Sequence, residues 1–484
     1  MDLQSLIDAV NDSLTWVLII ALLAAGLFFT VATRFVQVRH FRTMLKVILH
    51  SRGTADGQGI SSFQAFTISL ASRVGTGNIV GVAIALTLGG PGAIFWMWVM
   101  ALLGMATAFA EATLAQVFKI PHHDGTFRGG PAYYIQRGLK SRFFGSVFAV
   151  CLIFTFGFSF NGVQANTIAT NAANAWGWDH FPVAIGLTLI TALIIFGGIK
   201  PVARVTEYMA PLMAAVYLLI ALIVLGVRIG EVPHAIGMIF QGAFGLNQAL
   251  AGTAGGILAA MLNGVKRGMF SNEAGMGSAP NAAATATTSH PVNQGLIQSA
   301  GVFVDTIIVC TCTAVMILLA GPSVYTPGVT QRSDAGTLTT TAAASELGQG
   351  IVPVLTVLIV VFAFSSILGN YTYAEVNMDF LGGGKAGDYA MRALVVVATF
   401  WGAIQELGVV WSVADVAMSV MAVINISAMF MLSRYAVGAL RDFDRQGGSP
   451  ESVFDLLGNP DVPDDVPGEV WHSEKAKGLA GSPH

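Results

Sequence analysis

Between Leu14 and Thr33 the chain runs through about 20 residues without a single charge, the length an α-helix needs to cross the hydrocarbon of a bilayer. Comparable stretches recur along the sequence. Eleven candidate spans can be placed, near 14–33, 64–88, 92–117, 145–170, 181–199, 205–227, 248–264, 295–320, 352–380, 390–407 and 412–433. No other feature narrows the possible folds so far. Backbone inside hydrocarbon must satisfy its own hydrogen bonds, which only helices and closed barrels achieve. The composition agrees: 54% of residues are hydrophobic and 11% charged, where soluble proteins carry roughly 25% charged residues. An all-α integral membrane protein is expected.

The basic residues orient the spans. Arg34, Arg39, Arg42, Lys46 and Arg52 follow the first span, and Lys119, Arg128, Arg137, Lys140 and Arg142 follow the third. Lys200 with Arg204, Lys266 with Arg267, Lys385 with Arg392, and Arg434, Arg441 and Arg445 are assigned to the same side, leaving Arg228 and Arg332 on the other. By the positive-inside rule the N-terminus lies outside and the C-terminus in the cytoplasm, in a multi-pass protein of the cell membrane. The N-terminus lacks a basic region and a small-residue cleavage site, so the first span is expected to stay in the membrane rather than be removed. Residues 1–440 form one membrane domain, with its core at about 60–435. Residues 441–484, rich in Gly, Pro and Asp, are expected to be a disordered cytoplasmic tail, too poor in apolar residues to fold alone.

Several features exclude functions. The net charge of −3 is small and evenly spread, which speaks against a nucleic-acid partner. Cys151, Cys310 and Cys312 are odd in number and lack zinc spacing, so they read as packing residues. No hydrolase or metalloprotease motif is present, and no histidine lies inside a span, so the chain is not expected to be an enzyme.

Polar residues within the spans carry the functional signal. The second span is interrupted by Val74-Gly75-Thr76-Gly77-Asn78, and the seventh by Gly252, Thr253, Gly255 and Gly256. Non-helical backbone survives in a bilayer only when buried in protein or lining a cavity. Close packing of small residues is the alternative explanation for such glycines. If the first span is an extra helix, the two interruptions fall in helices one and six of a ten-helix core, matching positions of two five-helix halves. Amides after a break suit a carboxylate, and carbonyls before it suit a cation. Gln164 faces either a neighbouring helix or a ligand. Ser365 and Ser366, taken alone, read as hydroxyls bonded back to their own helix. Arg73 and Asp305 are intramembrane charges that need partners and are expected to pair with each other as a structural lock. Glu111 is placed at the membrane interface. Ser271, Asn272 and Glu273 are read as a capped turn on the cytoplasmic side.

The stretches "GTGNIVGVAIALTLGGPGAIFWMWVMALLGMATAFAEATLAQ", "RGMFSNEAGMGSAP", "GVFVDTIIVCT" and "FAFSSILG" together resemble the alanine or glycine:cation symporter family, the sodium:alanine symporters. The resemblance spans about 60–435. It implies eleven helices with a five-plus-five inverted-repeat, leucine-transporter-like core and one extra N-terminal helix. It also implies sodium-coupled import of alanine or glycine by alternating access. Carried onto this chain, Gly75, Thr76, Gly77 and Asn78 would bind the substrate carboxylate, Gln164 would face the substrate, and Gly252, Thr253, Gly255 and Gly256 would offer carbonyls to the ammonium group. Sodium would be held by the carbonyls of Ala71 and Val74 and the hydroxyls of Ser365 and Ser366. Many relatives carry Ser-Thr at the serine pair, and either pair supplies two hydroxyls.

The partners so implied are a small amino acid, sodium as coupling ion and the lipid bilayer. No cofactor and no obligatory protein partner are expected. A proton-coupled carrier of the same fold is the alternative. Such carriers often hold a lysine in the fifth core helix, where span 205–227 has only Glu207. A channel is a further alternative, against which stand two matched helix breaks in place of a repeated filter.

Overall fold

A helix that stops inside a membrane strands amides and carbonyls, so each stop has to be explained by what receives them. The computed structural model describes residues 3–51, 60–123, 125–196, 199–245, 256–463, 465–467 and 470–471. The chain is a bundle of helices in the order α1 (Leu3–Ala32), α2 (Val36–Arg39), α3 (Phe41–His50), α4 (Ser62–Arg73), α5 (Gly77–Gly89) and α6 (Gly92–Val117). A two-stranded hairpin, Ile120–Pro121 with Phe127–Arg128, precedes α7 (Pro131–Gly138). Then come α8 (Arg142–Trp176), α9 (His180–Ile195), α10 (Ile199–Val227), α11 (Val232–Ala243), α12 (Gly256–Asn272) and α13 (Ala279–Thr285). The series ends with α14 (Pro291–Leu319), α15 (Leu338–Leu347), α16 (Ile351–Leu381), α17 (Gly384–Ile404) and α18 (Leu407–Arg445).

Seven of these helices are long and apolar enough to cross a bilayer, and the bent pair α4–α5 makes an eighth candidate crossing. Of the other three expected spans, 181–199 coincides with α9 and 390–407 with α17, which fall short of that length or apolarity, and 248–264 lies only partly within the described residues, at the start of α12. Among the described residues eight crossings are reached on those measures.

Two interruptions organise the bundle. α4 starts with a capping box, in which Ser61 Oγ accepts the Gln64 amide and Gln64 Oε1 accepts the Ser61 amide, both at 3.1 Å. It ends at Arg73, and α5 leaves at an angle of 47°. α12 ends at Asn272, where Glu273 (φ 57), Gly275 (φ 84) and Gly277 (φ 82) all take left-handed backbone. Pro280 then stands in the first turn of α13, a position that needs no amide donor. The non-glycine Glu273 is held in this costly conformation by its burial and by hydroxyls donated from Ser72 and Ser278 at 2.8 and 2.7 Å.

Close backbone contact joins the two halves. A Cβ on Gly402 in α17 would lie 2.3 Å from both Cα and O of Gly162 in α8. Gly402→Ala therefore forces two backbones apart, a cost of about 1–3 kcal/mol for overpacking, and is expected to lower the midpoint of thermal unfolding in detergent. Gly162→Ala meets chiefly the Trp401 ring, at 2.9 Å, and is expected to be milder. Equal midpoints for both variants would show that the contact carries no such cost.

The polar tail departs from expectation. α18 continues to Arg445, and the described residues after it, up to Trp471, fold back over the face that carries the basic loops. Phe454 and Trp471 are fully buried, and Val462, Val466 and Val470 nearly so. A segment unable to make its own core has bound to the end of an existing one.

Candidate functional site

In α4 the last regular bond is Val74 N–H to Leu70 O, 2.8 Å. The next amide, Gly75, turns away and donates to Asn78 Oδ1 at 2.9 Å. Thr76 donates both its hydroxyl (2.5 Å) and its amide (3.4 Å) to Gln164 Oε1 on α8. Those donors fix the orientation of the Gln164 amide, and its Nε2 has no partner among the described residues.

The consequence appears one turn earlier. The Ala71 carbonyl would take the Gly75 amide in a continuous helix. Freed of it, the oxygen receives Ser366 Oγ at 2.9 Å and Ser365 Oγ at 3.4 Å, from α16. Both hydroxyls also reach Phe362 O, at 3.1 and 2.8 Å. The serines thus meet both readings drawn from sequence. They bond back to their own helix, and they stand at the carbonyl released by the break. Val74, with φ −76 and ψ 89, leaves the helix beside them. Gly75 is indispensable to this approach, because a Cβ there would lie 2.2 Å from Ser366 Oγ.

On the other side of the break, Asn78 Nδ2 lies 2.6 Å from Asp305 Oδ1, 3.1 Å from Asp305 O and 3.0 Å from Ser271 Oγ. Asp305 Oδ2 accepts the hydroxyls of Ser271 and Thr306, both at 2.7 Å. Asp305 sits where α14 widens into π-helical geometry, over Phe303–Cys310, a departure common at functional sites. The expected lock with Arg73 is not formed. Arg73 instead donates to Gln298 O and Oε1, at 3.2 and 2.9 Å, and seven residues of helix separate Gln298 from Asp305, about 10 Å. Asp305 has hydrogen-bond donors but no contact ion pair among the described residues, and Arg73 acts on its charge only from a distance.

A further interruption, which sequence did not single out, is found beyond the one expected at Gly252, Thr253, Gly255 and Gly256. Gly252, Thr253 and Gly255 lie outside the described residues, and Gly256 is the first residue of α12. The helix opens at its other end, beyond Asn272, about 24 Å further on at 1.5 Å per residue. Ser271 and Asn272 are therefore buried in the bundle rather than in a surface turn. There Ser271 bonds Asp305, and its Cα would lie 3.0 Å from a Cβ on Gly77. Glu111 is likewise buried in protein. Its carboxylate accepts the amides of Gly275 and Gly277, at 3.2 and 3.1 Å, and Asn425 Nδ2 at 3.0 Å, holding the opened loop in place. The available signal was Gly275-x-Gly277 just before Pro280, the pattern of a turn that restarts a helix.

Lys266 and Arg267 also lie inside α12 rather than in a basic loop. Arg267 donates through one nitrogen to both carboxylate oxygens of Asp415 on α18, and Lys266 Nζ stands 3.5 Å from the same carboxylate. The Arg267 guanidinium packs over Trp411 at 4.7 Å. Phe270 stacks between Phe160 and Trp411, with centroids 4.4 Å away on each side. Aromatic rings and a buried ion pair thus cover the two breaks on the side facing the start of α12.

Two interrupted helices, opened toward each other at mid-bundle with carbonyls, hydroxyls and a carboxylate between them, define a secondary transporter. Residues 1–454 match the sodium:alanine symporter family, and the chain belongs to that family of symporters, which are carriers and not enzymes. It is 43% identical over 473 residues to the amino-acid carrier protein AlsT of Bacillus subtilis, covering 98% of each chain. It is 39% identical over 455 residues to the sodium/alanine symporter AgcS of Methanococcus maripaludis, covering 92% of this chain and 98% of that one. The crystal structure of MhsT in complex with L-phenylalanine shares the fold, with a TM-score of 0.55, 16% identity and coverage of 87% and 95%. The leucine-transporter-like architecture is thereby established for this chain.

Proposed function

We propose that this protein imports small neutral amino acids, alanine or glycine, together with sodium, by alternating access across the cell membrane. The N-terminus is outside and the C-terminus in the cytoplasm, as the basic loops require. The observation that carries the reading is the Ala71 carbonyl, released from its helix and met by the hydroxyls of Ser365 and Ser366. Carbonyl and hydroxyl oxygens are the donors a hard cation takes, and here sodium is a co-substrate. With Val74 beside them, these residues form the sodium site of the proposal.

The amino acid is placed at the break above. Gln164 Nε2, lacking a partner among the described residues, donates to its carboxylate. The amides of Gly75 and Thr76 bond Asn78 Oδ1 and Gln164 Oε1, so binding a carboxylate there exchanges side-chain acceptors for substrate oxygens. Gly77 and Asn78 border Ser271 and Asp305, and Asp305 supplies negative charge near the ammonium group or a second cation. The relative named a sodium/alanine symporter supports the choice of substrate and ion.

The test is scintillation-proximity binding of a panel of small amino acids to purified protein, with sodium and with potassium in its place. Alanine or glycine is expected to bind only with sodium. Equal binding in both salts, together with uptake driven by a pH gradient, would replace sodium by the proton.

A further inference from the structure

The basic face is covered by the described residues of 446–471, which no step of binding uses. Phe454 donates its amide to Ser289 O at 2.9 Å and sets its ring edge-on to His290 and Trp471. Trp471 donates Nε1 to Gln116 O at 2.9 Å, at the end of α6, and its carbonyl accepts the Leu456 amide. Pro450 O accepts Asn293 Nδ2 at 3.0 Å. At the rim, Asp461 pairs with Arg445 and Asp465 with Arg434.

What the segment grips decides its meaning. Ser289 and His290 join α13 to α14, directly after the short half of the second broken helix. Gln116 and Lys119 hold the carbonyl of Ala286 from the same side, at 3.2 and 2.8 Å. Ala286 and Thr287 are bonded in turn to Ile60 and Ser62, where α4 begins. The basic-face halves of both broken helices are thus tied to each other, and the tail lies across the tie. Opening the site to this face requires those halves to part from α6 and α18.

The attachment is of a kind that can release. The described residues of the segment have no helix or strand of their own, so they gain order only where they dock and can leave without unfolding the bundle. Its rim ion pairs are partly exposed and therefore weak. Two buried aromatics, Phe454 and Trp471, supply the hold.

We propose that residues 446–471 are an autoinhibitory strap, which holds the cytoplasmic ends of the two broken helices together and limits how often the site opens inward. The inference rests on the alternating-access reading above.

Three full-length proteins test it: the parent, Trp471→Ala, and Asp461→Asn with Asp465→Asn, each also prepared with Thr288→Cys beneath the strap. Maleimide labelling of the introduced cysteine reports opening, with the same proteins lacking it as blanks for Cys151, Cys310 and Cys312. Both strap variants are expected to label about threefold faster or more, as a shift of about 0.7 kcal/mol in the opening equilibrium produces. Maximal sodium-driven alanine uptake is expected to rise, with the half-saturating sodium concentration unchanged. Labelling at the parent rate in folded variants, or slower uptake despite faster labelling, overturns the strap. If Trp471→Ala fails to fold, the asparagine pair at partly exposed positions decides alone. Labelling needs no substrate, whereas absence of sodium-driven uptake by the parent would instead overturn the transport reading.

Discussion

Replacing Ser365 and Ser366 together by alanine is expected to abolish sodium-stimulated alanine uptake in proteoliposomes while leaving the protein folded. Each hydroxyl reaches Ala71 O, at 3.4 and 2.9 Å, and each has a second acceptor in Phe362 O. Their removal leaves both carbonyls without those donors and the proposed sodium without two of its oxygens. The carbonyl of Phe362 keeps its place in α16, so the helix persists. Loss of two ligands from a buried cation site is expected to weaken sodium binding by about 100-fold or more, since each 1.4 kcal/mol is a factor of ten. Sodium binding is measured by titrating uptake against sodium at fixed alanine, and folding by the thermal midpoint. Undiminished sodium stimulation would remove these residues from the site.

The second large effect is expected at Asp305. A buried carboxylate without an ionic partner is costly, and a cation beside it would relieve that cost in the loaded state. Asp305→Asn preserves the shape and removes the charge. The hydroxyls of Ser271 and Thr306, which donate to Oδ2 at 2.7 Å, can rotate and accept from the new amide instead. The fold is therefore expected to tolerate the change, whereas sodium-driven uptake is expected to fall by about 100-fold. Proton dependence supplies the control: a carboxylate that exchanged protons in transport would leave the asparagine variant indifferent to external pH. Uptake with parental rate and sodium dependence would return Asp305 to a purely structural role.

The first interruption was legible because glycine, threonine and asparagine together are poor material for a membrane helix, and its partner Gln164 was readable as a polar group at the same depth. The opening beyond Asn272 was not singled out, for a physical reason. "AGTAGG" and "EAGMGS" are both small-residue runs, and hydropathy does not tell which of them opens a helix. The opening depends on acceptors for the freed amides. Those come from Glu111, which is 164 and 166 residues distant from the glycines it holds, with Asn425 bonded to the same carboxylate. Likewise Arg73 and Asp305 were recognised as charges needing partners, but Gln298 and the Asn78–Ser271 pair took those places. A charge in a span states that a partner exists and does not say which one. Lys266 and Arg267 erred in the same way, for a basic pair that meets Asp415 inside the bundle is indistinguishable in sequence from one in a loop.

Apolar length and the motifs around the first break were enough to place this chain among helical membrane carriers. These are local properties: hydrocarbon thickness sets span length, and glycine breaks a helix wherever it is found. The position of the second break, the partners of the buried charges and the docking of the tail were settled by contacts between residues far apart in the chain. Each is a choice among several polar groups of similar chemistry, made by which of them the packed helices bring within hydrogen-bond distance. The tail shows this most plainly. Its composition forbids a core of its own, yet Phe454 and Trp471 find one at the end of the bundle.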